Sequence, residues 1–94
     1  MRIHKHYKTI WNEFERIATP VLKKKFPQYQ FEDGYLVEHW FFGTRKCFWP
    51  VFDVDMSTNG IICYYEEFND VIKKLAEDFG CKDYYENFKA VAHE

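Results

Sequence analysis

Residues 28–65 read QYQFEDGYLVEHWFFGTRKCFWPVFDVDMSTNGIICYY, and this stretch decides the fold. Rings and β-branched side chains recur in short runs, each closed by turn chemistry. Asp33-Gly34 is a two-residue hairpin turn between strands at 29–32 and 35–42. Gly43-Thr44-Arg45-Lys46 reads as a second turn, leading into a strand at 47–55. Ser57-Thr58-Asn59-Gly60 reads as a third, leading into a strand at 61–65. Pro50 falls inside the third strand, where its missing N–H predicts an edge, a bulge or a local gap in pairing.

Helical periodicity brackets this meander. Tyr7, Ile10, Trp11, Phe14, Ile17, Ala18, Val21 and Leu22 form one apolar stripe that stays in phase across Pro20. Either one kinked helix or a helix restarting at Thr19-Pro20 fits, ending before Phe26-Pro27. Phe68, Val71, Ile72, Leu75 and Phe79 share a face of a second helix that stops at Gly80. Asp83-x-x-Glu86 reads as a capping box opening a last short helix with Tyr84, Phe88 and Val91. The expected fold is a single α+β domain over 1–94: N-terminal helix, four-stranded antiparallel meander, two C-terminal helices.

Hairpin geometry then sorts side chains between sheet faces. Pairing Phe42 with Cys47 sets Trp40 opposite Trp49; pairing Thr58 with Ile61 sets Asp55 opposite Tyr64. One face carries Tyr35, Val37, His39, Phe41, Phe48, Pro50, Phe52, Val54, Met56, Cys63 and Tyr65, and is expected beneath the helices. The other carries Phe31, Leu36, Trp40, Phe42, Cys47, Trp49, Val51, Ile62 and Tyr64 together with Glu38, Asp53 and Asp55, and is expected to meet a partner.

Composition narrows the function classes. The chain has 94 residues, among them 10 Phe, 7 Tyr and 3 Trp, more rings than one small monomeric core readily holds. A net charge of −2 with well-mixed signs argues against duplex nucleic acid as a partner. Lys23-Lys24-Lys25 complements the dipole at a helix end. No run approaches the roughly 20 apolar residues that span a bilayer, so no membrane partner and a cytoplasmic location are expected. Cys47, Cys63 and Cys81, odd in number and widely spaced with no C-x-x-C, argue against a disulfide framework and against a zinc ribbon.

Chemistry-bearing constellations are few. Trp40 and Trp49 flank Thr44, Arg45 and Lys46; with Tyr64 they make a candidate site where rings stack a base and cations meet phosphate. Phe42, Val51 and Ile62 are candidate interface residues. Asp53 and Asp55 alternate on one strand face and are weak candidates for a metal through oxygen ligands. The calcium-loop pattern fails after them, because Gly60 comes late and Tyr64 stands where a bidentate Glu is required. Cys47 or Cys63 beside His39 is the candidate thiol pair, whereas His4, His6 and His93 lack metal-ligand spacing.

No catalytic residue and no cofactor follow from these patterns. The leading expectation is a non-enzymatic protein acting by occupancy, sequestering an anionic small molecule such as a nucleotide or blocking a protein surface. In size and composition the chain resembles small phage or mobile-element proteins that inhibit host components, and the resemblance implies a host target. The alternatives are a metal-dependent phosphohydrolase on Asp53 and Asp55, a thiol enzyme on Cys47 or Cys63, and a self-associating structural subunit. The apolar second face predicts a homo-oligomer.

Overall fold

A computed structural model describes residues 7–81 and 83–90. Helix α1 (Tyr7–Lys25) is followed by strands β1 (Gln30–Glu32), β2 (Tyr35–Trp40), β3 (Gly43–Pro50), β4 (Phe52–Asp55) and β5 (Gly60–Tyr65). A 3₁₀ turn (Glu66–Phe68), helix α2 (Asn69–Phe79) and strand β6 (Tyr84–Ala90) follow among the described residues. The α+β class and the N-terminal helix stand as expected, but the strands form two three-stranded sheets, β1-β2-β3 and β4-β5-β6. His4, His6, Val91 and His93 lie outside the described residues.

The division falls at Pro50-Val51. Pro50 closes β3 opposite Tyr35 and has no N–H to carry the ladder on. Val51 then serves both sheets: its N–H donates to the Gly34 carbonyl at 2.8 Å, and its carbonyl accepts from the Tyr64 N–H at 3.4 Å. The predicted gap in pairing is therefore the point where one long strand becomes two.

Asp33-Gly34 forms the expected hairpin turn, with φ of 55° and 81°. Glycine is required here twice over, because a Cβ on Gly34 would also lie 2.7 Å from the Trp11 ring. The second turn differs. It consists of Phe41-Phe42, with Trp40 opposite Gly43, His39 opposite Thr44 and Glu38 opposite Arg45. Gly43, at φ 140°, relieves the backbone just after the loop instead of opening it. Residues 43–46 are thus strand, and Trp40 does not face Trp49. In the β4–β5 hairpin Asp55 faces Gly60 and Val54 faces Ile61. Both slips are by an even number of residues, so side chains keep their faces while changing partners.

The expected last helix is a strand. Strand β6 runs parallel to β5, with Ile61 opposite Tyr84 and Cys63 opposite Glu86, and α2 supplies the crossover that parallel pairing needs. Locally Asp83 and Glu86 suit a helix cap, but β5 would otherwise leave a row of backbone groups unpaired along one edge. The side chains are recruited accordingly. Tyr84 donates its hydroxyl to Asn69 Oδ1 at 2.6 Å, and Asn69 Nδ2 donates to Glu86 Oε2 at 3.0 Å.

Helix α1 runs unbroken through the exposed Pro20 and buries Phe14, Ala18 and Leu22 on one face. These meet Phe52, Val54, Ile61, Cys63, Tyr65, Phe68, Ile72 and Ala76 in the core, with Phe31, Leu36 and Val51 from the first sheet. The sheet face expected beneath the helices is buried in β4 and β5 but not in the first sheet, where His39 and Phe48 are exposed. Phe31, Leu36 and Val51, expected on the partner-facing side, are buried in the core instead. No helix among the described residues is long and apolar enough to cross a membrane.

Candidate functional site

Strand β1 pairs with β2 only as far as Val37. Beyond that point β2 and β3 continue as a two-stranded arm, and residues 38–46 are exposed throughout. At its tip Phe41 is 92% and Phe42 93% exposed, with Trp40 at 51% and, further down β3, Phe48 at 82%. The two phenylalanine rings meet edge to face at 5.0 Å. Scaling ring areas by these exposures, Trp40, Phe41 and Phe42 leave roughly 350–600 Å² of ring surface in water. That rivals the largest apolar patch on a typical monomer.

The cations on the arm are already engaged. The Arg45 guanidinium lies 4.3 Å from the centre of the Trp40 ring and 3.8 Å from Glu38 across the ladder. Lys46 donates to Asp33 at 3.1 Å and sits 5.3 Å from the Tyr35 ring centre. Thr44 is exposed opposite His39. Because residues 43–46 belong to a ladder, their N–H groups alternate in direction rather than converging on one anion.

At the base of the arm the other candidates gather. Trp49 packs on Phe48 at 4.8 Å and Tyr64 at 5.3 Å between ring centres. With Tyr7, Trp11, Tyr35 and Asp53 they line a groove of about 420 Å³. The Tyr7 hydroxyl donates to Asp53 Oδ1 at 3.1 Å, and the Val54 N–H donates to the same atom at 2.7 Å. The structure thus separates Trp40, at the tip side, from Trp49 and Tyr64 at the base. It also divides Phe42, at the tip, from the half-buried Ile62 and the buried Val51.

Asp55 is occupied with its own turn, where the Ser57 N–H and hydroxyl donate to it at 3.0 and 2.8 Å. Those bonds hold its carboxyl below the usual range. No group of three or more His, Cys, Asp or Glu that could hold a metal ion exists among the described residues. Burial pushes the Cys47, Cys63 and Cys81 thiols up, the opposite of what an activated nucleophile needs. His39 is on the exposed arm, opposite Thr44.

Sequence reasoning missed Phe41, Phe48, Tyr7 and Tyr35. The first two alternate with Trp40 and Trp49, which reads as a covered face opposite an open one; an arm with both faces open has no such distinction. The signal available was Trp40-Phe41-Phe42-Gly43, three rings running straight into a glycine.

The buried Tyr65 and the half-buried Tyr7, Tyr29, Tyr64 and Tyr84 predict an alkaline limit. Burial raises the pKa of Tyr7, Tyr64, Tyr65 and Tyr84, with the Asp53 charge adding to it at Tyr7 and Tyr64. Tyr29, donating to Glu67 at 2.6 Å, is pushed up to about 12 chiefly by that bond. A raised folded value favours the neutral phenol, so this stabilisation is complete below the ordinary value of 10 and lost as pH rises through the folded values. Urea midpoints should hold through neutral pH and fall above about pH 10, with most phenolate absorbance appearing together with unfolding. Smooth phenolate titration of a still-folded chain near pH 10 would contradict it.

Comparison with protein-family models, with curated proteins and with solved structures finds no match for this chain.

Proposed function

We propose that this protein acts by occupancy, inserting the β2–β3 arm into an apolar groove on a protein partner and blocking that surface. One observation carries the reading: an unsupported hairpin presents Phe41 and Phe42 at 92% and 93% exposure. Small-molecule sites are concave and surround their ligand. The arm is convex, so the partner supplies the groove. Large rings in a desolvated pocket are the residues that dominate interface energetics. Beyond Val37 no further strand among the described residues pairs with the outer edges of the arm, which supports strand addition along its length.

Area favours a different protein over a second copy as the partner. Two tips packed together would bury roughly 700–1,200 Å² of ring surface, at or below the lower limit for a stable interface. A groove that also covers the strand edges adds to that figure. Nucleotide sequestration fits the arm less well, since Arg45 and Lys46 are turned onto Trp40, Glu38, Asp33 and Tyr35.

The test places a photoactivatable phenylalanine analogue at position 42, cross-links in the protein's own cells and identifies the adduct. The expected result is one heterologous chain bound through that position. An adduct only to a second copy, or no adduct while native mass spectrometry finds a retained nucleotide, would overturn the reading.

A further inference from the structure

Asn59-Gly60, in the β4–β5 turn, is the only Asn-Gly pair in the sequence, and such a pair can react with itself. With no side chain on Gly60 to obstruct it, the Gly60 nitrogen attacks the side-chain carbonyl carbon of Asn59. The nitrogen gives up its proton, a C–N bond closes a five-membered succinimide, and the Asn59 side-chain nitrogen leaves as ammonia. Water then opens the ring to aspartate or isoaspartate.

The folded turn holds each participant back. The nucleophile's proton is engaged, because the Gly60 N–H donates to Thr58 Oγ1 at 3.2 Å. Asn59 is fixed at φ 63°, with its N–H donated to the Asp55 carbonyl at 2.6 Å and Gly60 paired opposite Asp55. Attack would put negative charge on Asn59 Oδ1, an atom that is buried and has no hydrogen-bond partner. Without a donor the developing oxyanion is destabilised there. The cover over the turn comes from the segment entering β6. A Cβ on Gly60 would lie 2.7 Å from the Asp83 carbonyl oxygen and 3.0 Å from the Tyr85 ring. That carbonyl accepts from the Ile61 N–H at 3.1 Å, and the Tyr85 hydroxyl donates to Thr58 Oγ1 at 3.2 Å. Strand β6 lies at the edge of its sheet, and such peripheral elements open at lower free energy than the core.

We propose that Asn59 is a deamidation site kept closed by β6, and that its conversion is a one-way switch that loosens this strand. Reaction proceeds from openings in which β6 has left the turn. The chemistry is slow, so its rate follows the population of that open state. Reclosing over the product is unfavourable. A carboxylate replaces the buried, unpartnered amide oxygen, in a turn that already holds Asp55 and has Asp83 beside Gly60. Isoaspartate also lengthens the backbone by one carbon and shifts the pairing of Asp55 with Gly60.

The experiment incubates the intact chain and a synthetic peptide of residues 56–62 at neutral pH, following deamidation at Asn59 by peptide mass mapping. The folded chain should react at least about tenfold more slowly than the peptide. Hydrogen exchange on the same sample needs no variant: the protection of Asn59 should match that of the β6 amides and fall below that of α1. Tyr85→Ala, which removes both the ring and the bond to Thr58, should raise the rate severalfold with circular dichroism unchanged. If that variant unfolds, the exchange match decides. Asn59→Asp should speed amide exchange in β6 while leaving α1 as it is. A folded chain that deamidates at the peptide's rate would overturn the proposal, as would protection equal to that of α1. Wild-type exchange of β6 in Asn59→Asp would overturn the switch.

Discussion

Replacing Phe41 and Phe42 together by serine is expected to abolish partner capture while leaving the melting temperature nearly unchanged. Both rings are almost fully solvated in the free protein, so the folded state loses little burial when they are removed. Neither residue needs positive φ, and serine is at home in a tight loop. Binding should respond very differently. Truncating a buried aromatic anchor typically costs about 2–4 kcal/mol, so the double variant should lose at least about a thousandfold in affinity. Isothermal titration against the cross-linked partner, with circular dichroism on the free chains, measures both quantities. The salt dependence separates mechanisms further. Insertion of rings into an apolar groove should change little with added salt, whereas recognition of a phosphate through Arg45 and Lys46 should weaken steeply. A double variant that binds as wild type, or one that unfolds, would remove the arm from the account.

Much of this fold is local physics and was legible for that reason. The stripes of α1 and α2, the Asp33-Gly34 turn and the stop at Gly80 each depend on residues within a few positions of one another. Gly80 takes φ 97° and closes α2 through its N–H to the carbonyls of Ala76 and Glu77. What misled were signals with two local readings. Gly43-Thr44-Arg45-Lys46 has the composition of a turn, yet Glu38 and Arg45 gain a cross-strand pair only if the chain reverses earlier, at Phe41-Phe42. Asp83 and Glu86 have the spacing of a helix cap, yet the competing partner is β5, some twenty residues back along the chain.

The candidate sites divide along the same line. The arm is nearly contiguous in sequence, so Trp40, Phe42, Thr44, Arg45 and Lys46 could be named from it, although the bulk of its exposure lies in Phe41, Phe42 and Phe48. The groove draws on α1, β2, β3, β4 and β5. No spacing pattern links Tyr7 to Asp53; the helix must first dock on the sheet. That docking uses Phe14, Ala18 and Leu22, which periodicity did identify. Residues chosen for packing thus bring the Tyr7 hydroxyl to Asp53.

Phe68→Ala should produce the largest loss of stability of any single ring truncation. Phe68 ends the 3₁₀ turn between β5 and α2 and has no exposed surface. Its ring centre lies 4.8 Å from Phe26 and 5.6 Å from each of Tyr29, Phe31 and Tyr65. One side chain therefore joins the end of α1, the first sheet and the second sheet, whose backbones otherwise meet at Val51. Deleting a buried phenylalanine costs about 3–5 kcal/mol, because the transfer energy is lost and the cavity collapses only in part. A chain of this size has about 5–15 kcal/mol in total. The expected result is a fall in melting temperature of more than about 15 °C, and a urea midpoint lowered without change of slope. Phe42→Ala, the same chemical change at an exposed ring, should shift neither by more than about 0.5 kcal/mol. Equal losses at the two positions would contradict the assignment of one ring to the core and the other to the arm.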